Sequence, residues 1–138
     1  MSVPPEAMRV VRQWVERAEE DLEAAEILLA APATLSFNAV CFHSQQCVEK
    51  YLKALLSFHS LDFPKIHDLG ELLQLLPPDS RPTITPQEEE RLTDYAVVTR
   101  YPGDDEPVPR ERAAEALAAA RMVREQSRSR LPREVLHG

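Results

Sequence analysis

A row of polar side chains runs along one side of a predicted helix near the middle of the chain. The segment 42–56 reads FHSQQCVEKYLKALL, and residues at steps of three and four share one helix face. The polar face carries His43, Gln46, Lys50, Lys53 and Ser57, and we expect it to point away from the core. An imidazole, an amide and two ammonium groups could bind a phosphate or a nucleobase edge. The alternative is a solvated face with a Glu49–Lys53 ion pair one turn apart. Phe42, on the same side, suggests a further contact such as a dimer partner.

Arg100 and Tyr101 stand where another predicted helix enters a proline-rich loop, RYPGDDEPVP at 100–109. An arginine there could bind a phosphate through two parallel hydrogen bonds, with the tyrosine ring stacked on a base. The alternative is that the arginine caps the helix carbonyls while the tyrosine packs on the bundle. The acids at 104–106 could ligate Mg²⁺, but we interpret them as a solvated loop and predict no metal site.

The sequence lacks the common catalytic motifs. It holds no GxxxxGK[ST], GxGxxG, GxSxG or HExxH segment, so nucleotide hydrolysis, dinucleotide chemistry and serine or zinc hydrolysis have no motif support. Cys41 and Cys47 point in different directions on one predicted helix, which disfavours a disulfide or a metal site. His67 and Asp68 precede a predicted helix, where Asp68 fits a helix cap.

All the elements that position these residues are predicted to be helices. Apolar residues recur at three- and four-residue steps, and prolines separate the periodic segments. Thr85, Pro86 and Glu88 have the pattern of a capping box, with Thr85 as the cap. The predicted helices span about residues 6–30, 34 or 36 to 60, 69–76, 86–100 and 110–130. The expected fold is an all-α, up-and-down bundle of four major helices plus one short helix.

Length and composition set further limits. The 138 residues suit a single domain, 1–138, with a core at about 8–130. A net charge of −7 argues against a protein that covers nucleic acid with its whole surface. The segment 110–138 carries +3, which could steer an acidic partner to it, but we favour a role of its arginines at a helix C-terminus, where cations interact well with the helix dipole. No apolar run approaches the roughly 20 residues of a membrane span, and no secretory signal is evident, so we expect a cytoplasmic protein.

Several segments together resemble one known family. They are the residues Trp14, Ala18, Asp21, Leu22 and Ala25, then HSQQCVEK at 43–50, KAL at 53–55, HDL at 67–69, and Tyr95 with RYP at 100–102. In this order, over roughly residues 8–123, they resemble the HEPN domain family. The resemblance implies an all-α bundle that often forms homodimers. It also implies binding of a nucleotide such as ATP, or partnership with a small nucleotidyltransferase in a toxin–antitoxin pair.

Many HEPN members are also metal-independent ribonucleases that carry an arginine and, after four to six residues, a histidine. This chain departs from that pattern, because the positions at that distance from Arg100 are Asp105, Glu106 and Pro107. Arg130 and His137 have the right spacing, but they extend past the matched segments and Pro132 interrupts the helix between them. We interpret that pair as a chance match.

The sequence therefore predicts a binding protein that is not an enzyme by itself. The predicted contacts to a nucleotide or a nucleotidyltransferase are His43, Gln46, Lys50, Lys53, Arg100 and Tyr101. One alternative is a ribonuclease toxin that uses Arg100 with a nearby acid or His43, although RNA is not the favoured partner. The other alternative is a purely structural helical dimer.

Overall fold

The computed structural model describes residues 3–31, 37–96 and 108–136, and within these ranges all regular secondary structure is helical. The α-helices are α1 (Pro5–Ala30), α2 (Phe37–Phe58), α3 (Leu69–Leu75), α4 (Pro86–Asp94) and α5 (Arg110–Ser129). Short 3₁₀ turns follow α3, at Pro78–Ser80, and α5, at Arg133–Val135. The predicted all-α bundle is confirmed. None of the helices in the described ranges is long and apolar enough to cross a membrane.

Helix α1 forms because its apolar residues fall on one stripe, and prolines frame its start. Pro5 occupies the first turn, where its missing N–H costs nothing. The helix ends at Ala30, as predicted, and Ala31 is already extended. The stripe of α1 is buried, and its buried members are Val11, Val15, Ala18, Asp21, Leu22 and Ala25. This stripe packs along α2, and the two helices run antiparallel, because Asp21 meets Lys50 while Trp14 meets Lys53.

Helix α2 is the centre of the bundle. It packs against α1, α3, α4 and α5, so it is covered on almost every side. The predicted apolar face is buried, but so are Gln45, Glu49 and Lys53. The prediction that the whole polar row points away from the core is therefore wrong for Lys53, which is 7 % exposed. A single apolar stripe predicts the buried face of a helix that packs on one side. Helix α2 instead has neighbouring helices around most of its circumference, so polar side chains off the stripe are buried as well.

Side-chain caps start α3 and α4 where the sequence predicts them. An Asp68 carboxylate oxygen accepts a hydrogen bond from the Glu71 backbone N–H at 3.0 Å. Thr85 Oγ1 accepts from the Glu88 backbone N–H at 3.2 Å. Within the described ranges no hydrogen bond joins the Thr85 backbone N–H to the Glu88 carboxylate, so the reciprocal half of the predicted capping box is not formed.

Helix α4 ends at Asp94, earlier than the predicted end near Arg100. The Tyr95 backbone N–H donates to the Leu92 carbonyl at 3.0 Å, so the chain tightens into a three-residue turn at this point. Helix α4 is thus a short helix rather than a fourth long one. Residues 97–107, which include Arg100 and Tyr101, lie outside the described residues.

Helix α5 completes the core with small residues that allow close packing. Its buried face consists of Ala113, Ala116, Leu117, Ala120, Val123 and Ser127. Two arginines on its flank reach across to α1, where Arg121 pairs with Glu26 and Arg124 pairs with Glu19, each at 2.8 Å. Cys41 and Cys47 are free thiols buried in the core, as predicted.

Candidate functional site

A cluster that we call the Asp21 patch lies where α1 meets α2, and it consists of Asp21, His43, Gln46 and Lys50. Asp21 Oδ1 lies 2.8 Å from His43 Nδ1, and Lys50 Nζ donates to Asp21 Oδ2 at 2.5 Å. His43 and Lys50 stand two turns apart, about 10 Å along the axis of α2, and reach the carboxylate from either side. The antiparallel packing of the two helices therefore joins three charged or titratable groups that are distant in sequence.

The Asp21 patch is partly open to solvent. The side chains of His43 and Lys50 are 30 % and 21 % exposed, whereas that of Asp21 is 11 % exposed. An ionised carboxylate can only accept, so the hydrogen of a neutral His43 lies on Nδ1 and Nε2 keeps its lone pair. Lys50 uses one of its three N–H groups on Asp21. The patch can thus offer an imidazole nitrogen and an ammonium group to a ligand.

Gln46 links the patch to the buried Gln45 and Glu49. Gln46 Nε2 donates to Gln45 Oε1 at 2.7 Å, and Gln45 Nε2 donates to Glu49 Oε1 at 2.9 Å. Phe42 is half-buried beside His43, with the two ring centroids 5.3 Å apart and edge to face. An aromatic edge, an amide and an imidazole are therefore neighbours at this surface.

The Glu49 network is a group around the buried Glu49 carboxylate, and it consists of Gln45, Glu49, Lys53 and the exposed His67. The Glu49 carboxylate is 4 % exposed and lies 2.9 Å from Lys53 Nζ, 2.9 Å from His67 Nδ1 and 2.9 Å from Gln45 Nε2. Burial alone would raise the pKa of Glu49, but the three hydrogen bonds hold it below its ordinary value. The predicted Glu49–Lys53 pair is confirmed, although it is buried instead of solvated.

Lys53 is enclosed by aromatic rings as well as by its carboxylate. Its Nζ atom lies 5.5 Å from the centroid of Trp14 and 5.9 Å from that of Phe63. The side chain is 9 % exposed. Of the six predicted contacts, the structure thus brings His43, Gln46 and Lys50 together and places Lys53 in the interior. Arg100 and Tyr101 lie outside the described residues.

Asp21 and the buried role of Glu49 were not predicted from the sequence. Asp21 carried a signal, because it stands three residues after Ala18 and four before Ala25, on the buried stripe of α1. A carboxylate on an apolar stripe needs a partner, since a buried charge without one is costly. That partner had to come from another helix, which spacing along α1 does not reveal.

A third cluster joins three helices. Glu19 of α1 binds Arg124 of α5 through two hydrogen bonds, at 2.8 and 3.0 Å, and accepts a hydrogen bond from the Tyr51 hydroxyl of α2. Burial alone would raise the pKa of Glu19, but the bonds from Arg124 and Tyr51 lower it. This cluster ties α1 to α2 and α5, and we interpret its role as stabilising the fold.

Among the residues that the structure describes, no group of three or more potential metal ligands is found.

Known proteins are similar to this chain in sequence and in fold. The HEPN domain family matches residues 11–130. The crystal structure of TT1696 from Thermus thermophilus is 27 % identical and covers 88 % of this chain and 98 % of its own, with a TM-score of 0.71. The structure of ST0689, an archaeal HEPN homologue, is 27 % identical and covers 87 % and 96 %, with a TM-score of 0.67.

A shorter similarity links the chain to the candidate toxin MJ1304 of Methanocaldococcus jannaschii, with 41 % identity over 56 residues. That match covers 41 % of this chain but only 35 % of the relative. The family match, in contrast, extends over most of the chain, from α1 to the end of α5. The helical bundle and the matched residues together show that this chain belongs to the HEPN family.

Proposed function

We propose that this HEPN chain acts in a toxin–antitoxin-type pair, where it binds a nucleotide or a small nucleotidyltransferase that is its cognate partner. The similarity to a candidate toxin supports the toxin–antitoxin setting, although it spans about a third of that relative. We further propose that the chain works as one cytoplasmic domain and as a homodimer.

The observation that carries the proposal is the Asp21 patch. His43 and Lys50 are both fixed by Asp21 yet remain partly exposed. Side chains that are already held in place lose less conformational freedom when a ligand arrives, so they favour binding. An ammonium group suits a phosphate, while Gln46 and the Phe42 edge suit a base.

The proposed contacts are His43, Gln46 and Lys50, joined by Arg100 and Tyr101 of the loop segment. Arg100 would bind phosphate and Tyr101 would stack on the base. We leave Lys53 out of the contacting groups, because its ammonium group already binds Glu49 inside the bundle.

A titration with a fluorescent ATP analogue tests the nucleotide form of the proposal. We expect saturable binding to the wild type and a loss of about tenfold or more in affinity for Lys50→Ala, since hydrogen bonds to charged groups contribute about 1.5–3 kcal/mol. Lys65→Ala is the matched control, because Lys65 is an exposed lysine in the loop between α2 and α3. Absence of saturable binding, or equal affinity for wild type and Lys50→Ala, would reject nucleotide binding at this patch.

The partner form is tested by co-expression with the small nucleotidyltransferase encoded beside this chain, where one is present. Co-purification that His43→Ala and Lys50→Ala weaken, while Lys65→Ala does not, supports the proposal.

If alanine at all the patch positions of α2 leaves nucleotide binding, partner binding and assembly unchanged, the chain is a purely structural bundle. Light scattering during size-exclusion chromatography would report the homodimer.

A ribonuclease is the second candidate, favoured by the contact between Asp21 and His43 at 2.8 Å. A histidine oriented by a carboxylate is a typical general base, and Arg100 could stabilise the charge on the phosphate. Cleavage of a labelled RNA that both His43→Ala and Arg100→Ala abolish would support this activity. No cleavage by the purified chain would reject it, and loss in His137→Ala instead would point to the pair of Arg130 and His137.

A further inference from the structure

A chain of hydrogen bonds runs along α2 from the Glu49 network to the Asp21 patch. Gln45 donates to Glu49 at 2.9 Å, and Gln46 donates to Gln45 at 2.7 Å. Gln45 is 0 % exposed, whereas Gln46 is half-buried at the surface. A side chain that no ligand can touch is therefore bonded to one of the proposed ligand contacts.

The direction of these hydrogen bonds is set at their buried end. Glu49 pairs with Lys53 at 2.9 Å, and its lowered pKa keeps it ionised, so both of its oxygens can only accept. Gln45 must therefore turn its NH₂ group toward Glu49. The same group lies 3.5 Å from the His67 carbonyl oxygen, which is a second acceptor. The amide oxygen of Gln45 consequently faces the other way, toward Gln46.

The orientation of the Gln46 amide follows from that of Gln45. Gln46 uses its Nε2 group as the donor to Gln45 Oε1, so its own oxygen is directed away from Gln45. In the part of the chain that the structure describes, this oxygen accepts no hydrogen bond and is not buried. A glutamine amide without such a partner can turn over and exchange its donor and acceptor ends. Here the buried contacts fix the acceptor end outward.

The outward end of Gln46 has a second acceptor beside it. Asp21 holds the neutral His43 with its hydrogen on Nδ1, so the Nε2 atom of this ring also presents a lone pair. His43 stands three residues before Gln46 and shares its side of α2. This edge of the Asp21 patch therefore favours a ligand that brings an N–H donor.

We propose that Gln45 is a positioning residue that makes the Asp21 patch recognise the exocyclic amino group of a base such as adenine. This inference rests on the proposed binding of a nucleotide at the patch. Gln46 Oε1 accepts a hydrogen bond from the amino group, while Lys50 faces a phosphate. A base with an oxo group at the same position places one acceptor against another, and such a contact leaves both without a donor.

Three nucleotides that differ at position 6 of the purine test this recognition. ATP carries an amino group there, purine riboside triphosphate carries a hydrogen and ITP carries an oxo group. Each is used to displace a fluorescent ATP analogue from the intact chain. We expect ATP to bind about threefold to tenfold more tightly than purine riboside triphosphate, the effect of losing one hydrogen bond, and ITP to bind no better than purine riboside triphosphate.

Variants separate the role of Gln45 from general packing. Gln45→Met removes the oxygen that holds the Gln46 amide, so the amide can turn over and donate to an oxo group. The preference for ATP over ITP should then fall below about twofold, since an amide that can turn over forms one hydrogen bond to either base. Ser44→Ala is the matched control, because it changes a neighbouring buried polar side chain and should keep the preference. A packing defect alone weakens all three nucleotides alike and leaves their ratio unchanged.

Gln46→Leu provides a second variant at the surface of the helix, for use if Gln45→Met does not fold. It removes the acceptor itself, so ATP should lose its advantage over purine riboside triphosphate. Equal affinity of the wild type for ATP and ITP, or an unchanged preference in the folded variant, would overturn the role of Gln45 and leave nucleotide binding intact. Loss of the preference in Ser44→Ala as well would assign the effect to packing and overturn that role too. Absence of saturable binding by the fluorescent analogue would reject both this inference and the nucleotide form of the proposed function.

Discussion

Replacing Lys53 with methionine tests whether the Glu49 network stabilises the fold. The side chains of Lys53 and Glu49 are 9 % and 4 % exposed, so their ion pair is desolvated on both sides. Breaking a buried pair by removing one partner costs about 3–5 kcal/mol. Glu49 keeps Gln45 and His67 as donors, and methionine can pack on Trp14 and Phe63. We therefore expect a loss of about 2–3 kcal/mol, below the usual range.

The assays are urea unfolding and thermal unfolding, each followed by far-ultraviolet circular dichroism. A loss of about 2–3 kcal/mol should lower the melting temperature by roughly 10 °C in a domain of this size. Adding Glu49→Gln to Lys53→Met removes the buried negative charge that the first change leaves without its lysine, while the amide oxygen still accepts hydrogen bonds. The two changes should therefore be non-additive by about 1–3 kcal/mol.

The control is Arg121→Ala, which breaks the exposed pair with Glu26. Its side chains are 53 % and 43 % exposed, and such pairs contribute about 0–1 kcal/mol. If Lys53→Met costs no more than Arg121→Ala, the ion pair of the Glu49 network does not stabilise the fold. Additive effects of Lys53→Met and Glu49→Gln would equally refute the coupling between the two side chains.

Three further outcomes follow from the same contacts. The pKa of Glu49 is lowered in the folded state, so its ionised carboxylate stabilises the fold above the ordinary pKa of 4.5, and this stabilisation is lost as the pH falls below that value. The melting temperature of Glu49→Gln should therefore fall less on acidification than that of the wild type. Thr85→Ala should cost about 1 kcal/mol in urea unfolding, because the Glu88 backbone N–H loses its cap, and no loss would contradict that role. Tyr51→Phe should cost about 1–2 kcal/mol in the same assay through its lost bond to Glu19, whereas Phe42→Leu, away from that cluster, should not reproduce the effect.

Local signals were enough to predict most helix boundaries. Proline and capping residues act within one or two turns, so their meaning does not depend on the rest of the fold. The end of α1 at Ala30 and the caps by Asp68 and Thr85 were predicted correctly for this reason. The end of α4 was predicted too late, because a tight turn at Tyr95 stops that helix before any proline is reached.

The surroundings of α2 could not be predicted from its own periodicity. Periodicity identifies the face that is most apolar, but the number of neighbouring helices decides how much of the remaining surface is covered. Lys50 and Lys53 belong to the same polar row, yet one side chain is 21 % exposed and the other 9 %. The contacts of His43 and Lys50 with Asp21 join residues 22 and 29 positions apart, and no local rule specifies such pairs.

The position of Asp21 also limits what the patch can bind. Asp21 offsets the charge of Lys50, so with a neutral His43 the patch carries no net charge to attract a phosphate. Its contribution to a nucleotide site is then orientation and hydrogen bonding, while most of the attraction for phosphate has to come from another cation. Arg100 is the predicted residue that can supply that charge, because Lys53 is already paired with Glu49. We therefore propose that a nucleotide would contact the Asp21 patch and Arg100 together, and that Arg100→Ala would weaken its binding at least as much as Lys50→Ala.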